Sequence, residues 1–231
     1  MTNAIKRPNG CLFFIFILFA TLTASAQTTK VDELLQEIKK NNTDSAQISI
    51  MRKLSAAYSA VDPVKKFYYA NQFRILAEKN GIDSIVAGAY LDMGISYGIR
   101  GNLDSALHFF NLGLAKSKEI NYPNGIARSY ANIGFAYDRT DRKKDAVKSY
   151  EESLKIFRKT NHKSGISQNI VNLGAIYFDL GEYKTADIYF KEYLELAQAM
   201  PNNAIALGNA NFCLGISNRK LGNPELAMEY Y

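Results

Sequence analysis

Few residues in this 231-residue chain are of types suited to chemistry. There are two histidines, His108 and His162, and two cysteines, Cys11 and Cys213. A zinc-type centre needs three or four such ligands at short spacing, and a nucleophilic cysteine needs a base beside it. His108 and His162 lie far apart in the chain, and neither has a cysteine partner at ligand spacing. The pair Glu151-Glu152 sits among lysines on a helical stretch and reads as a solvated face. H-E-x-x-H, G-x-x-x-x-G-K-[ST], G-x-S-x-G and C-x-x-C are all absent. "GISYG" and "GIRG" are too short and too helical in context to cradle a phosphate. No catalytic residue, metal ligand or cofactor site is expected, and no enzyme activity.

Composition narrows the class further. Hydrophobic residues make up 47% of the chain, enough for a sizeable core, and the five prolines leave room for long helices. The start is distinct: Lys6 and Arg7, an uncharged run from Leu12 to Leu22, then Ala24-Ser25-Ala26. That is the pattern of a signal peptide, expected to be cleaved after Ala26, with a retained N-terminal anchor as the alternative. Removing residues 1–26 takes away two cations and lowers the formal charge from +6 to +4. So mild and dispersed a charge does not point to nucleic acid. Cys213 is then the only cysteine, so no internal disulfide forms.

The elements that position the remaining residues are set by an internal period. Four stretches align: Tyr90 to Phe110, Tyr130 to Tyr150, Ile170 to Phe190 and Asn211 to Tyr231. Gly94, Gly134, Gly174 and Gly215 recur at spacings of 40, 40 and 41, and Ala106, Ala146, Ala186 and Ala227 keep the same spacings. Within the third stretch, Leu173, Gly174 and Tyr177 fall on one helical face, and Ala186 and Phe190 on a second. Gly174 lets a neighbouring helix approach, and Gly181 suits a left-handed cap between the two helices. Gly101, Asp141 and Gly222 hold the equivalent place. The expected fold is all-α: an α-solenoid of stacked antiparallel helical hairpins.

These residues resemble the tetratricopeptide repeat pattern of an aromatic, Leu-Gly, Tyr, Ala and an aromatic at fixed offsets. The repeats are read as 87–126, 127–166, 167–207 and an incomplete 208–231, with Asn218 where the tyrosine is expected. Tyr193 stands where a small residue is usual. A degenerate unit covers 44–82, with Ala70 read as the counterpart of Ala106 and its inter-helix turn therefore as shorter. Residues 27–43 form a leading helix and link.

The resemblance implies a superhelix whose inner face is built from the first helices, at the second, fifth, sixth, ninth and twelfth to thirteenth places of each unit. The sixth places are Asp92, Asn132, Asn172 and Cys213, and the second include Arg128, Gln168 and Asn209. The twelfth and thirteenth include Asp138, Arg139, Phe178, Asp179, Arg219 and Lys220. Asn132 and Asn172 carry both donors and an acceptor, which suits them to a peptide backbone, and Arg128, Arg139 and Arg219 could hold a carboxylate. The expected partner is a protein or an extended peptide.

The apolar "ELAMEYY" ending lacks a cap, so the chain is expected to be the N-terminal part of a longer protein. With the export signal it resembles the extracytoplasmic sensor portions of bacterial regulators such as histidine kinases. Any kinase or other output would lie beyond Tyr231, and membrane attachment would come from there or from a retained anchor. A self-contained periplasmic scaffold or assembly factor is the alternative.

Overall fold

The computed structural model describes residues 20–199, 201 and 203–231. The positive start and most of the apolar run of the expected signal peptide lie outside the described residues. The described residues form helices α1 (Ala20–Lys40), α2 (Asp44–Ala57), α3 (Pro63–Lys79), α4 (Asp83–Ile99), α5 (Leu103–Glu119), α6 (Pro123–Arg139), α7 (Lys143–Lys159), α8 (Lys163–Asp179), α9 (Tyr183–Gln198), α10 (Ala204–Leu221) and α11 (Pro224–Tyr230). None of the described helices is long and apolar enough to cross a membrane.

The 40-residue period resolves into two identical halves. From α4 to α8 every helix has 17 residues. Every connection between them has three residues, so a helix and its turn take 20. The middle residue of each turn has a positive φ: Gly81, Gly101, Asn121, Asp141, Asn161 and Gly181, at 66°, 78°, 51°, 59°, 52° and 77°. The amide after it reaches back to a carbonyl five residues earlier, as in Asn102 to Tyr97 at 3.0 Å, Tyr122 to Ser117 at 2.8 Å and His162 to Phe157 at 2.9 Å. Each helix thus ends in a Schellman motif that satisfies its last carbonyls. Gly101, Asp141 and Gly181 are legible as caps within a unit. Asn121 and Asn161 are the same device between units, and asparagine is the usual non-glycine residue there.

Starts are more varied, and several have no side-chain cap. Pro63 and Pro123 open α3 and α6, where their missing N–H costs nothing. The Asp62 carboxylate accepts from Val64 and Lys65, and the Asn102 side chain from Ser105. His162 is a cap of this kind: its Nδ1 accepts from the Gly165 amide at 3.1 Å while the ring stacks on Phe157. Its role is structural.

Hairpins α2/α3, α4/α5, α6/α7, α8/α9 and α10/α11 stack side by side into the solenoid. The signature residues set how closely they approach. Ala106, Ala146 and Ala186 are fully buried. A Cβ on Gly174 would stand 2.5 Å from the ring of Phe190, and one on Gly134 3.1 Å from that of Tyr150. The largest core cluster joins Tyr150, Leu154 and Phe157 of α7 to Ile170, Leu173 and Ile176 of α8. Tyr193 lies in that cluster, under Ala210 of α10.

The first hairpin departs from the sequence reading. Its inter-helix connection, 58–62, has five residues and is longer than the two or three within the other hairpins, because α2 stops at Ala57. Helix α3 starts 40 residues before α5, so the counterpart of Ala106 is Lys66, and Ala70 takes the place of Phe110. A lysine conceals the alanine signature, and the nearby Ala70 imitates it out of register.

Candidate functional site

Successive first helices touch one another, α4 with α6 and α6 with α8, whereas successive second helices do not approach to the same extent. The stack therefore curves with its first helices inside. Each presents a stripe at relative positions 0, 4, 7 and 11, one face of a helix. On α6 the stripe is Arg128, Asn132, Phe135 and Arg139; on α8 it is Gln168, Asn172, Ala175 and Asp179. On α4 it is Gly88, Asp92, Ile95 and Ile99, and on α10 Asn209, Cys213, Ile216 and Lys220.

The two asparagines singled out by sequence are not equivalent. Asn132 donates from Nδ2 to the Arg128 carbonyl of its own helix at 2.8 Å, and its oxygen has no partner among the described residues. Asn172 is more closely held: its Oδ1 accepts from Gln168 Nε2 at 3.2 Å, and its side chain lies beside the phenol of buried Tyr150. Burial, with Asp138 nearby, pushes the Tyr150 phenol well above its ordinary range. Asn209 likewise lies beside the phenol of Tyr193. These amides support packed tyrosines from the previous hairpin as well as lining the face.

The acids of the inner face, Asp138 beside the α6 stripe included, are all engaged. Lys143 reaches Asp138 at 2.6 Å and Asp179 at 3.0 Å, clipping α6 to α8. Burial pulls the Lys143 ammonium down, but its hydrogen bonds to the two carboxylates outweigh this and hold it above the usual lysine range. Asp92 pairs at 3.1 Å with Lys66, which is 2% exposed and also donates to the Ser55 carbonyl. The cations Arg128, Arg139, Arg219 and Lys220 are exposed, and none has an ion pair among the described residues. Phe178 is half-buried, its ring edge-on to Tyr183.

Phe135 is 45% exposed between Asn132 and Arg139, and Ile99 is 49% exposed on α4. Neither was singled out from sequence, although the ninth and thirteenth places they hold belong to the expected inner face. The signal was a large apolar side chain at a place where the fold offers no core. Cys213 is half-buried on α10. Among the described residues no group of three or more His, Cys, Asp or Glu side chains is placed to hold a metal ion. The face offers amides, guanidinium groups and a few apolar side chains in a fixed array.

Comparison with known proteins fits this architecture. Tetratricopeptide repeat family models match residues 70–159 and 167–200. No protein of curated function matches the chain by sequence. Among solved structures, BtubC (BKLC) from P. vanneervenii is similar with a TM-score of 0.72 at 16% identity, over 90% of this chain and 87% of that one. A Rap protein complexed with competence and sporulation factor gives 0.68 at 14% identity, over 91% and 70%. NprR in complex with its cognate peptide NprX gives 0.63 at 20% identity, over 89% of this chain and 59% of that one. At such identities the likeness is one of fold.

Proposed function

The chain belongs to the tetratricopeptide repeat family, and we propose that it is a non-enzymatic module that holds a protein segment or extended peptide along the inner face of its first helices. The observation that carries this reading is the α6 stripe. Arg128, Asn132, Phe135 and Arg139 stand on one face, open to solvent, with both guanidinium groups unpaired. A surface helix without a partner has no need of an exposed phenylalanine between two uncompensated arginines. NprR and a Rap protein, which share the fold, were solved with a peptide and with competence and sporulation factor.

The test is selection of a random peptide display library on the full chain, repeated with Asn132→Ala and Arg128→Ala. Clones recovered by the parent and lost by the variants, with helix content unchanged by circular dichroism, support the reading. Clones that bind all three chains equally overturn it.

In its wider setting the module is the N-terminal, extracytoplasmic part of a longer bacterial signalling protein, exported and held near the inner membrane. Support comes from the sequence pattern of Lys6, Arg7, the apolar run and Ala24-Ser25-Ala26. The alternative is a self-contained periplasmic scaffold. Cell fractionation of the full-length protein and the reading frame beyond Tyr231 separate the two. Protein found only in the cytoplasm overturns both.

A further inference from the structure

We infer that the inner face selects acidic segments: an extended peptide carrying carboxylates on either side of an apolar side chain. This rests on the inner-face reading above and adds the chemistry of the partner. Formal charge of the whole chain is uninformative here, because it averages over surfaces that a ligand never meets. The charges that line the groove are informative. Three carboxylates, Asp92, Asp138 and Asp179, are all spoken for by Lys66 and Lys143. Four further cations, Arg128, Arg139, Arg219 and Lys220, have no carboxylate partner among the described residues. Six cations thus stand against three acids, a net of +3, and each of the three acids already has a lysine bonded to it. A basic segment would have to compete with Lys66 and Lys143 for every carboxylate, and would bring its charge against uncompensated guanidinium groups. An acidic one would pair them, with the bidentate geometry that arginine gives.

Spacing sharpens the requirement. Arg128 and Arg139 are eleven residues apart on α6, about 16 Å along the axis. That is the span of about five residues of extended chain. Phe135 lies between them, about 10 Å from Arg128. A segment with acids five apart and an apolar residue between them meets all three. The free oxygen of Asn132 is available to a backbone N–H of such a chain. A single exposed ring and amide donors suit a peptide better than nucleic acid, which needs several stacking rings along a continuous basic track.

The probe is fluorescein-labelled Glu-Glu-Ser-Phe-Ser-Glu-Glu, measured by anisotropy against the full chain at low and physiological salt. Its lysine counterpart, its alanine-for-phenylalanine counterpart and a short labelled oligothymidylate run in parallel. The expected result is binding of the acidic peptide, weakened by salt, and no binding of the lysine peptide. Arg128→Ala and Arg139→Ala each weaken it about tenfold, the value of one charge-assisted contact. Phe135→Ala weakens the phenylalanine peptide alone, and Lys148→Ala, on the outer helix α7, changes nothing. Equal or tighter binding of the lysine peptide overturns the inference while leaving a peptide groove in place. So does failure of all three peptides when display selection still yields clones dependent on Arg128. Failure of every peptide overturns both readings, and preference for the oligothymidylate through the same arginines replaces a peptide partner with nucleic acid.

Discussion

The first and last junctions of the array bring polar groups into the interface at neighbouring but different rows. Where α3 meets α4, Lys66 stands in the alanine row and pairs with Asp92, while the next row keeps an aromatic contact, Phe67 against Tyr97. Where α9 meets α10, the alanine row keeps Ala186, and the next row carries Asp187 bonded at 2.9 Å to Asn218. In the central junctions that row is apolar: Leu107 with Tyr137, and Val147 with Tyr177. The difference teaches that the backbone frame is set elsewhere, by three-residue turns recurring every 20 residues, and that either row accepts a polar group if its partner changes with it. Asn218 in place of the usual tyrosine is therefore half of a paired exchange and no mere erosion of the motif.

Removing one partner from the first junction is the severest way to break this symmetry. Asp92→Ala leaves the Lys66 ammonium buried without a counter-charge and is expected to lower stability by roughly 3 kcal/mol in chemical denaturation. The double replacement Lys66→Met with Asp92→Leu should restore most of that loss, because a buried pair contributes little beyond an apolar one of similar volume. If the double variant is as unstable as the single one, the row does not tolerate free exchange. At the last junction Asn218→Ala is expected to cost about 2 kcal/mol, since Asp187 loses its buried donor and keeps only half-exposed Lys191. Asp187→Val with Asn218→Tyr, copying the α7–α8 row, should recover it.

The central hairpins calibrate the two ends. Gly174→Ala should destabilise by about 1–2 kcal/mol, because its Cβ would meet the fully packed Phe190 ring at 2.5 Å and overpacking outweighs the gain in helix propensity. Gly134→Ala, with 3.1 Å to Tyr150, should be near neutral. Equal costs at the two sites would mean that the ring moves aside in both.

A pH dependence follows from the same tyrosine. Burial raises the Tyr150 phenol, so the fold holds its proton where the unfolded chain, at about pH 10, gives it up. The stability it contributes is complete below about pH 10 and is lost as pH climbs further. Tyr150→Phe should cost about 1 kcal/mol at neutral pH through the lost polar contact with Asn172, and the gap to the parent should narrow above pH 10. A gap that widens there would reverse the sign.

The parts of the design that were legible in the sequence are those where sterics permit few residue types. Gly174 and Ala186 recur because helix crossings leave no room for anything larger, and Gly181 because its φ is positive. What escaped depends on pairs across helices. Nothing local in Lys66 marks it as an alanine substitute, and Asp187 is meaningful only beside Asn218, 31 residues on. On the inner face the second, sixth and thirteenth places were legible, but the availability of each group was not. Asn172 and Asn132 look alike in sequence and differ because only one lies against a buried tyrosine. Phe135 stood at an inward place but has a residue type that usually signals core.

The smallest expected effect tests the frame on which the comparison rests. Asp141 holds a turn position that glycine fills at 101 and 181, with φ at 59°. Its side chain makes no hydrogen bond or ion pair among the described residues, so its replacement changes backbone preference and little else. Asp141→Gly relieves the strain that a Cβ brings to the left-handed region, but the unfolded chain gains freedom that partly cancels this. The net expectation is a gain of about 0.5 kcal/mol, read as a higher denaturation midpoint with an unchanged slope. Asn161→Gly should gain less, since asparagine tolerates the conformation better than aspartate. If instead Asp141→Gly destabilises, the turn is held by the carboxylate and not by its backbone. The six turns would then no longer be one device, and the two polar junctions could not be treated as variations on a common frame.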